Sequence, residues 1–256
     1  MKKSLQSLSL LVSTMENLLR TGEIHDYPGA VNGLQIANSG KVSRIVAAVD
    51  ACEEVIRESS KVPETLLIVH HGLFWNGVQT VTGAHYRKIK AALDGDLALY
   101  SSHLPLDLHP KLGNNFLLAK ALGLTGIKPA LEMKGQSVGV IGQLKGLKRD
   151  AFAELLSGAV GGDVHLAPGG PEVIKSVLVV TGGAGSEVAR AASLGVDAFV
   201  TGEGPHWSYT AAEELGVNLF YGGHYATETF GVKALASLIA SKAGLPWSFL
   251  DHPTGL

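Results

Sequence analysis

Two stretches of this chain match each other at a fixed distance, and this internal repeat restricts the possible folds more than any other feature. Ile45-Val-Ala-Ala-Val49 is a β-rich run followed by a polar helical pattern with Glu53, Glu54 and Val55. Val177-Leu-Val-Val-Thr181 begins 132 residues later and is followed by a helical pattern around Glu187 to Ala192. The same offset pairs Leu67-Ile-Val-His-His71 with Phe199-Val-Thr-Gly-Glu203, and Trp75 with Trp207. A third strand pattern closes each half, Leu97 to Ser101 and Val217 to Gly222. Beyond it one half reads Ser102-His103-Leu-Pro-Leu-Asp107 and the other Gly223-His224-Tyr-Ala-Thr-Glu228. Here the offset is 121, because the first half carries a longer excursion over residues 76–96.

Strand and helix alternate in each half, which predicts largely parallel sheets with helices on their faces. The expected architecture is α/β: two related lobes from an internal duplication, with a dinuclear metal site in the cleft between them. The expected boundaries are a first lobe over 1–125, a bridging segment over 126–172 and a second lobe over 173–256, within one integrated domain. The bridge carries a strand pattern from Ser137 to Leu144 and an amphipathic helix from Arg149 to Val160, and ends in Gly and Pro punctuation at 161–171. Leu5, Leu8, Leu11, Val12, Met15, Leu18 and Leu19 recur at helical spacing, so residues 3–20 read as an amphipathic helix and not as a leader peptide. No stretch is apolar for the roughly 18 residues a membrane span needs. A net charge of −2 favours neither nucleic acid nor anionic lipid. The single cysteine, Cys52, rules out an intrachain disulfide and a Cys-rich zinc site, and fits a cytoplasmic protein.

In parallel α/β sheets ligands sit beyond the carboxyl ends of the strands. His70 and His71 close an apolar strand, Asp107 follows the strand ending at Ser101, and His224 and Glu228 follow the strand ending near Tyr221. Imidazole and carboxylate groups in that number suit Zn²⁺, Fe²⁺, Mn²⁺, Co²⁺ or Ni²⁺. They exceed the needs of one tetrahedral ion, and two ions about 3.5–4 Å apart would use them fully. The expected ligands are therefore His70, His71, Asp107, His224 and Glu228, for two divalent ions per chain. His224 and Glu228 are expected on one face of a helix starting near Ala226. His103, the repeat partner of His224, reads as a group that orients water or moves protons, with a sixth ligand as the alternative. Glu203, also near a strand end, is expected to hydrogen-bond substrate or a ligand histidine. His25, His85, His109, His165, His206 and His252 read as packing or hydrogen-bonding residues.

Thr181-Gly-Gly-Ala-Gly-Ser186 follows a strand and opens a helix. It reads either as a loop holding a substrate phosphate or carboxylate through Gly182, Gly183 and Gly185, or as a tight strand–helix turn. It lacks the third glycine of a dinucleotide fingerprint, and no Gly-x4-Gly-Lys-Ser/Thr loop or Gly-x-Ser-x-Gly elbow occurs.

In combination and order, Asn32-Gly-Leu-Gln35, Leu67-Ile-Val-His-His-Gly72, Ser102-His103-Leu-Pro-Leu-Asp107, Gly113-Asn-Asn115, Thr181-Gly-Gly-Ala-Gly185, Thr201-Gly-Glu203 and Gly223-His224-x3-Glu228 carry a resemblance. The chain resembles the NIF (interacting-factor-three)-like family of YbgI type, labelled GTP cyclohydrolase type 2 homologues, over nearly its whole length. The resemblance implies a dinuclear centre on the five ligands above, a duplicated α/β fold, and a ring-shaped homohexamer whose sites face an inner cavity. Gly72 departs from the proline that usually follows the histidine pair in the family, and is expected to loosen that loop. The function expected is that of a metal-dependent hydrolase acting on a small nucleotide-like or phosphorylated substrate. The alternative is a non-enzymatic metal-binding, metal-chaperone or regulatory interaction protein.

Overall fold

The computed structural model describes residues 5–75 and 77–256. In chain order the strands are β1 Gln6–Ser7, β2 Gly33–Ile36, β3 Lys41–Val42, β4 Arg44–Asp50, β5 Thr65–His71, β6 Leu97–Ser101, β7 Thr125–Met133, β8 Gln136–Lys148, β9 His165–Pro168, β10 Val173–Val179, β11 Ala198–Thr201, β12 Asn218–Tyr221 and β13 Trp247–Phe249. The chain divides into two compact units. One comprises the described residues up to Leu106 with Gly231–His252, and the other Asp107–Phe230 with Pro253–Leu256. The boundary expected at residue 125 does not coincide with this division. Residues 107–125 belong to the second unit, and the strand β13 pairs in parallel with β4 of the first.

The first unit is built on a five-stranded sheet of order β13-β4-β5-β6-β2, with a separate two-stranded pair, β1 and β3. The strands β13, β4, β5 and β6 run parallel, and β2 closes the edge antiparallel to β6. The central strands read Ile-Val-Ala-Ala-Val and Leu-Leu-Ile-Val, buried throughout. Such continuous apolar runs suit parallel strands covered on both faces. The register sets Asp50 beside His71 and Val69 beside Ser101, so the polar residues that end β4, β5 and β6 emerge along one edge. The first helix spans Leu8–Leu19 and buries Leu8, Leu11, Met15 and Leu19. It starts later than the spacing predicts, because Gln6 and Ser7 pair with Val42 and Lys41, and Leu5 is exposed. The part of that predicted helix before Leu5 lies outside the described residues.

The second unit holds a six-stranded mixed sheet of order β7-β8-β10-β11-β12-β9. Its centre, β10-β11-β12, is parallel, and β8 and β9 flank it antiparallel. The segment expected as a bridge is thus part of this sheet and not a separate piece. Its strand β8 pairs with β7 on one side and β10 on the other, β9 pairs with β12, and its helix, Arg149–Val160, buries Phe152 and Leu156 in the same core as Phe220. Each unit therefore contains three adjacent parallel strands in chain order, β4-β5-β6 in one and β10-β11-β12 in the other. Among the described residues no helix is long and apolar enough to cross a membrane.

Candidate metal centre

In the first unit three histidines meet at the strand ends. His70 and His71 are the last residues of β5, and His103 follows β6. Their ring centroids lie 4.7 Å (His70 to His71), 4.9 Å (His70 to His103) and 5.7 Å (His71 to His103) apart. One ligand atom from each falls within 4.8 Å of the others, so the group could hold a metal ion.

Each ring is fixed from behind. His70, fully buried, sets Nδ1 2.9 Å from the carbonyl oxygen of Ser102. A carbonyl can only accept, so Nδ1 carries the proton and the lone pair lies on Nε2. His71 Nδ1 is 2.8 Å from Asp50 Oδ1, and His103 Nδ1 is 2.8 Å from Asp26 Oδ1. A carboxylate or carbonyl behind the ring is how metal-ligating histidines are oriented and made more basic.

The motif Asn32-Gly-Leu-Gln35 supports this cluster. Asn32 Oδ1 accepts the His103 backbone N–H at 2.8 Å, and Gln35 Oε1 accepts the Leu73 N–H at 2.7 Å. A Cβ on Gly72 would lie 2.3 Å from the Gln35 amide. Gly72 therefore leaves room for Gln35 to reach the Leu73 N–H.

In the second unit His224 opens a short helix, His224–Thr227, and Glu228 follows it directly. The turn comes two residues earlier than the spacing predicts, and the pair still meets, His224 Nε2 to Glu228 Oε2 at 3.3 Å. Glu203, beyond β11, sets Oε1 2.8 Å from His224 Nδ1. Glu228 is buried; Asp107, also buried, accepts from Asn114 Nδ2 at 2.7 Å on Oδ1. Asn115 accepts from the Thr181 N–H at 2.8 Å and donates to the Val138 carbonyl at 3.0 Å, which accounts for the Gly113-Asn-Asn115 motif.

Burial alone would pull His224 down. The Glu228 carboxylate and then Glu203 outweigh it and push His224 up to about 9. A histidine raised from 6.5 stabilises the metal-free fold fully below that value, and the contribution is lost as pH rises through about 9. Chelator-treated protein is therefore expected to lose thermal stability between neutral pH and pH about 10, and His224→Ala to abolish that slope. A flat thermal midpoint in the unsubstituted protein would contradict this account of the pair.

The glycine loop lies against these two side chains. Gly182 has φ +72°, and a Cβ there would lie 2.2 Å from Glu228 Oε1. At Gly183 a Cβ would lie 3.6 Å from the His224 ring. The N–H groups of Thr181, Gly182, Ala184 and Gly185 donate to Asn115, Thr227, Thr201 and the Glu203 carbonyl. Four donors of the loop are thus used within the protein, which favours the tight turn over an anion cradle of several N–H groups. Of the other histidines, His109 Nδ1 accepts the N–H groups of Lys111 and Leu112 and shapes a turn.

Sequence reasoning missed Asp26 and Asp50. Asp50 had a usable signal, since it ends a parallel strand on the edge that carries His71. Asp26 lies in an irregular loop with no periodicity to mark it.

Fold and site together define an α/β protein whose strand ends present histidine and carboxylate groups suited to metal ions. The chain belongs to the Duf34/NIF3 (NGG1p interacting factor 3) family, whose model matches residues 7–253. It is 40% identical over 247 residues to a Deinococcus radiodurans protein named GTP cyclohydrolase 1 type 2 homolog, covering 96% of this chain and 93% of that one. The structure of the protein ybgI, of unknown function, superimposes with a TM-score of 0.91 at 33% identity, over 98% of this chain and 100% of that one. A protein of Thermus thermophilus gives 0.88 at 37% identity, with 98% and 100% covered. The mixed α/β fold with several sheets is that of this family.

Proposed function

We propose that His70, His71, Asp107, His224 and Glu228 hold two divalent ions in one centre, and that the protein is a metal-dependent hydrolase of the cytoplasm. The observation that carries this reading is the shared anchoring of the histidines: His70, His71, His103 and His224 all place Nδ1 on an oxygen acceptor. That turns Nε2 of His70, His71 and His224 toward a metal ion and Nε2 of His103 toward a proton, and buried carboxylates at Asp107 and Glu228 supply the negative charge that divalent cations require. When bound, such ions lower the pKa of water and polarise a phosphoryl or carbonyl oxygen.

The protein's own groups divide the remaining work. His103 takes and returns protons. Glu203 holds the His224 ring, and its exposed edge is open to substrate. Gly183, exposed and without a side chain, leaves the His224 ring open to substrate, while Gly182 packs against Glu228 and Gly185 holds the turn. A small nucleotide-like or phosphorylated substrate fits the name carried by the relatives. The two parallel strand triples support descent from a duplication, and the homohexamer is what the family resemblance implies.

The test is metal content per chain in protein purified without chelators, beside His71→Ala and Glu228→Ala. Close to two divalent ions, falling in both variants, is the expected result. Near-zero metal that added Zn²⁺, Mn²⁺ or Fe²⁺ fails to restore would refute the centre. Full metal content with no turnover on any phosphoester or nucleotide would favour the metal-carrier reading instead.

A further inference from the structure

We infer that Asp26 is a positioning residue that sets the tautomer of His103, so that Nε2 is the atom accepting a proton in the reaction proposed above; the inference rests on that reading. Asp26 is reached from a loop before the first parallel strand, yet its side chain is only 7% exposed. Both of its oxygens are used. Oδ1 accepts the Tyr27 N–H at 2.7 Å and His103 Nδ1 at 2.8 Å. Oδ2 accepts Asn32 Nδ2 at 2.8 Å and the Leu104 N–H at 3.0 Å. Asn32 returns its own Oδ1 to the His103 backbone N–H at 2.8 Å. Ring and backbone of His103 are thus held together by one carboxylate and its neighbouring amide.

Burial would raise Asp26, but the bonds from His103, Asn32 and Tyr27 outweigh it and hold the carboxyl below its ordinary range. It is therefore an anion at neutral pH, and an anion facing Nδ1 requires the proton there. Nε2 then has the lone pair. As Nε2 takes a proton from an attacking water, the ring becomes a cation and the Asp26 charge opposite Nδ1 offsets it; the proton then passes from Nε2 to the leaving group.

The repeat explains why this carboxylate comes from so far along the chain. His103 and His224 are equivalent at the offset of 121, and His71 and Glu203 at 132. In the second half Glu203 itself holds the His224 ring. In the first half that position is a histidine, His71, so no carboxylate stands there for His103. Asp26, outside the repeat, supplies it.

The experiment uses ¹⁵N-labelled, chelator-treated full-length protein at mildly alkaline pH, with His103 identified by the signals lost in His103→Gln. Long-range proton–nitrogen spectra report which ring nitrogen is protonated. The unsubstituted protein and Asn32→Ala are expected to show a protonated Nδ1 on His103, and Asp26→Ala a shift toward protonated Nε2. Asn32→Ala loosens the same loop but leaves the Nδ1 contact, so it separates disorder from the loss of the carboxylate. On Zn²⁺-loaded protein, Asp26→Ala is expected to lower kcat for bis(p-nitrophenyl) phosphate about 10–100-fold with little change in KM. An unchanged tautomer in folded Asp26→Ala, or an equal change in Asn32→Ala, would overturn the inference. If the tautomer depends on Asp26 while the loaded parent protein hydrolyses nothing, the positioning stands and the hydrolase reading falls.

Discussion

Gly182→Ala is expected to lower the metal content of the centre proposed on His224 and Glu228. Two costs combine. The φ of +72° is a left-handed conformation, and a side chain there costs about 1–2 kcal/mol. The new Cβ would also lie 2.2 Å from Glu228 Oε1 and 3.4 Å from His224 Nε2. Glu228 is 2% exposed, and a Cβ at that distance forces its carboxylate out of position. Gly161→Ala is the matched control. Its φ is also +72°, but nothing lies within 4 Å of the added Cβ. Both variants are expected to melt earlier by a similar backbone cost, and only Gly182→Ala to lose metal by elemental analysis. Equal and full metal content in the two would show that Glu228 has freedom the packing does not suggest.

Asp107→Asn is expected to abolish turnover while leaving the fold intact. The carboxamide oxygen can still accept from Asn114 Nδ2, so the buried hydrogen bond at 2.7 Å survives. The other oxygen becomes an NH₂ group, which carries no lone pair for a cation and no negative charge to balance one. Hydrolysis measured with saturating Zn²⁺ or Mn²⁺ should fall to background while thermal stability of the metal-free protein changes little. Retained activity would remove Asp107 from the ligand set.

Much of this was legible in the sequence because periodicity survives where burial is complete. The runs Ile45 to Val49 and Leu66 to Val69 are apolar at every position, so the parallel strands and their carboxyl ends could be placed, and with them His70, His71 and His224. The helix Arg149–Val160 was placed to the residue by its amphipathic spacing. The sheet partners of the middle segment were not legible, because antiparallel pairing of β8 with β10 depends on contacts between distant segments that no local pattern encodes. Asp26 and Asp50 were missed for a related reason. Each is an ordinary loop or strand-end acid until a histidine 77 or 21 residues away is set against it. The glycine loop was read in two ways, and only its hydrogen-bond partners, Asn115, Thr201 and Thr227, tell a tight turn from an anion cradle.

The parallel pairing of β13 with β4 has a consequence for the order in which the protein can be made. The sheet of the first unit is closed by a strand from Gly231–His252, so Asp107–Phe230 lies between the two pieces of that unit, and Pro253–Leu256 returns to the second. During synthesis β4 is exposed at its outer edge until Trp247–Phe249 has emerged. At about 5–20 residues per second that interval lasts roughly 10–40 s, long enough for the six-stranded sheet of the second unit to form first. The sheet that carries His70 and His71 is therefore completed only after every strand of the other sheet has been made. A chain cut short before residue 247 would leave the side of the strand Ile45 to Val49 open to pairing with other chains.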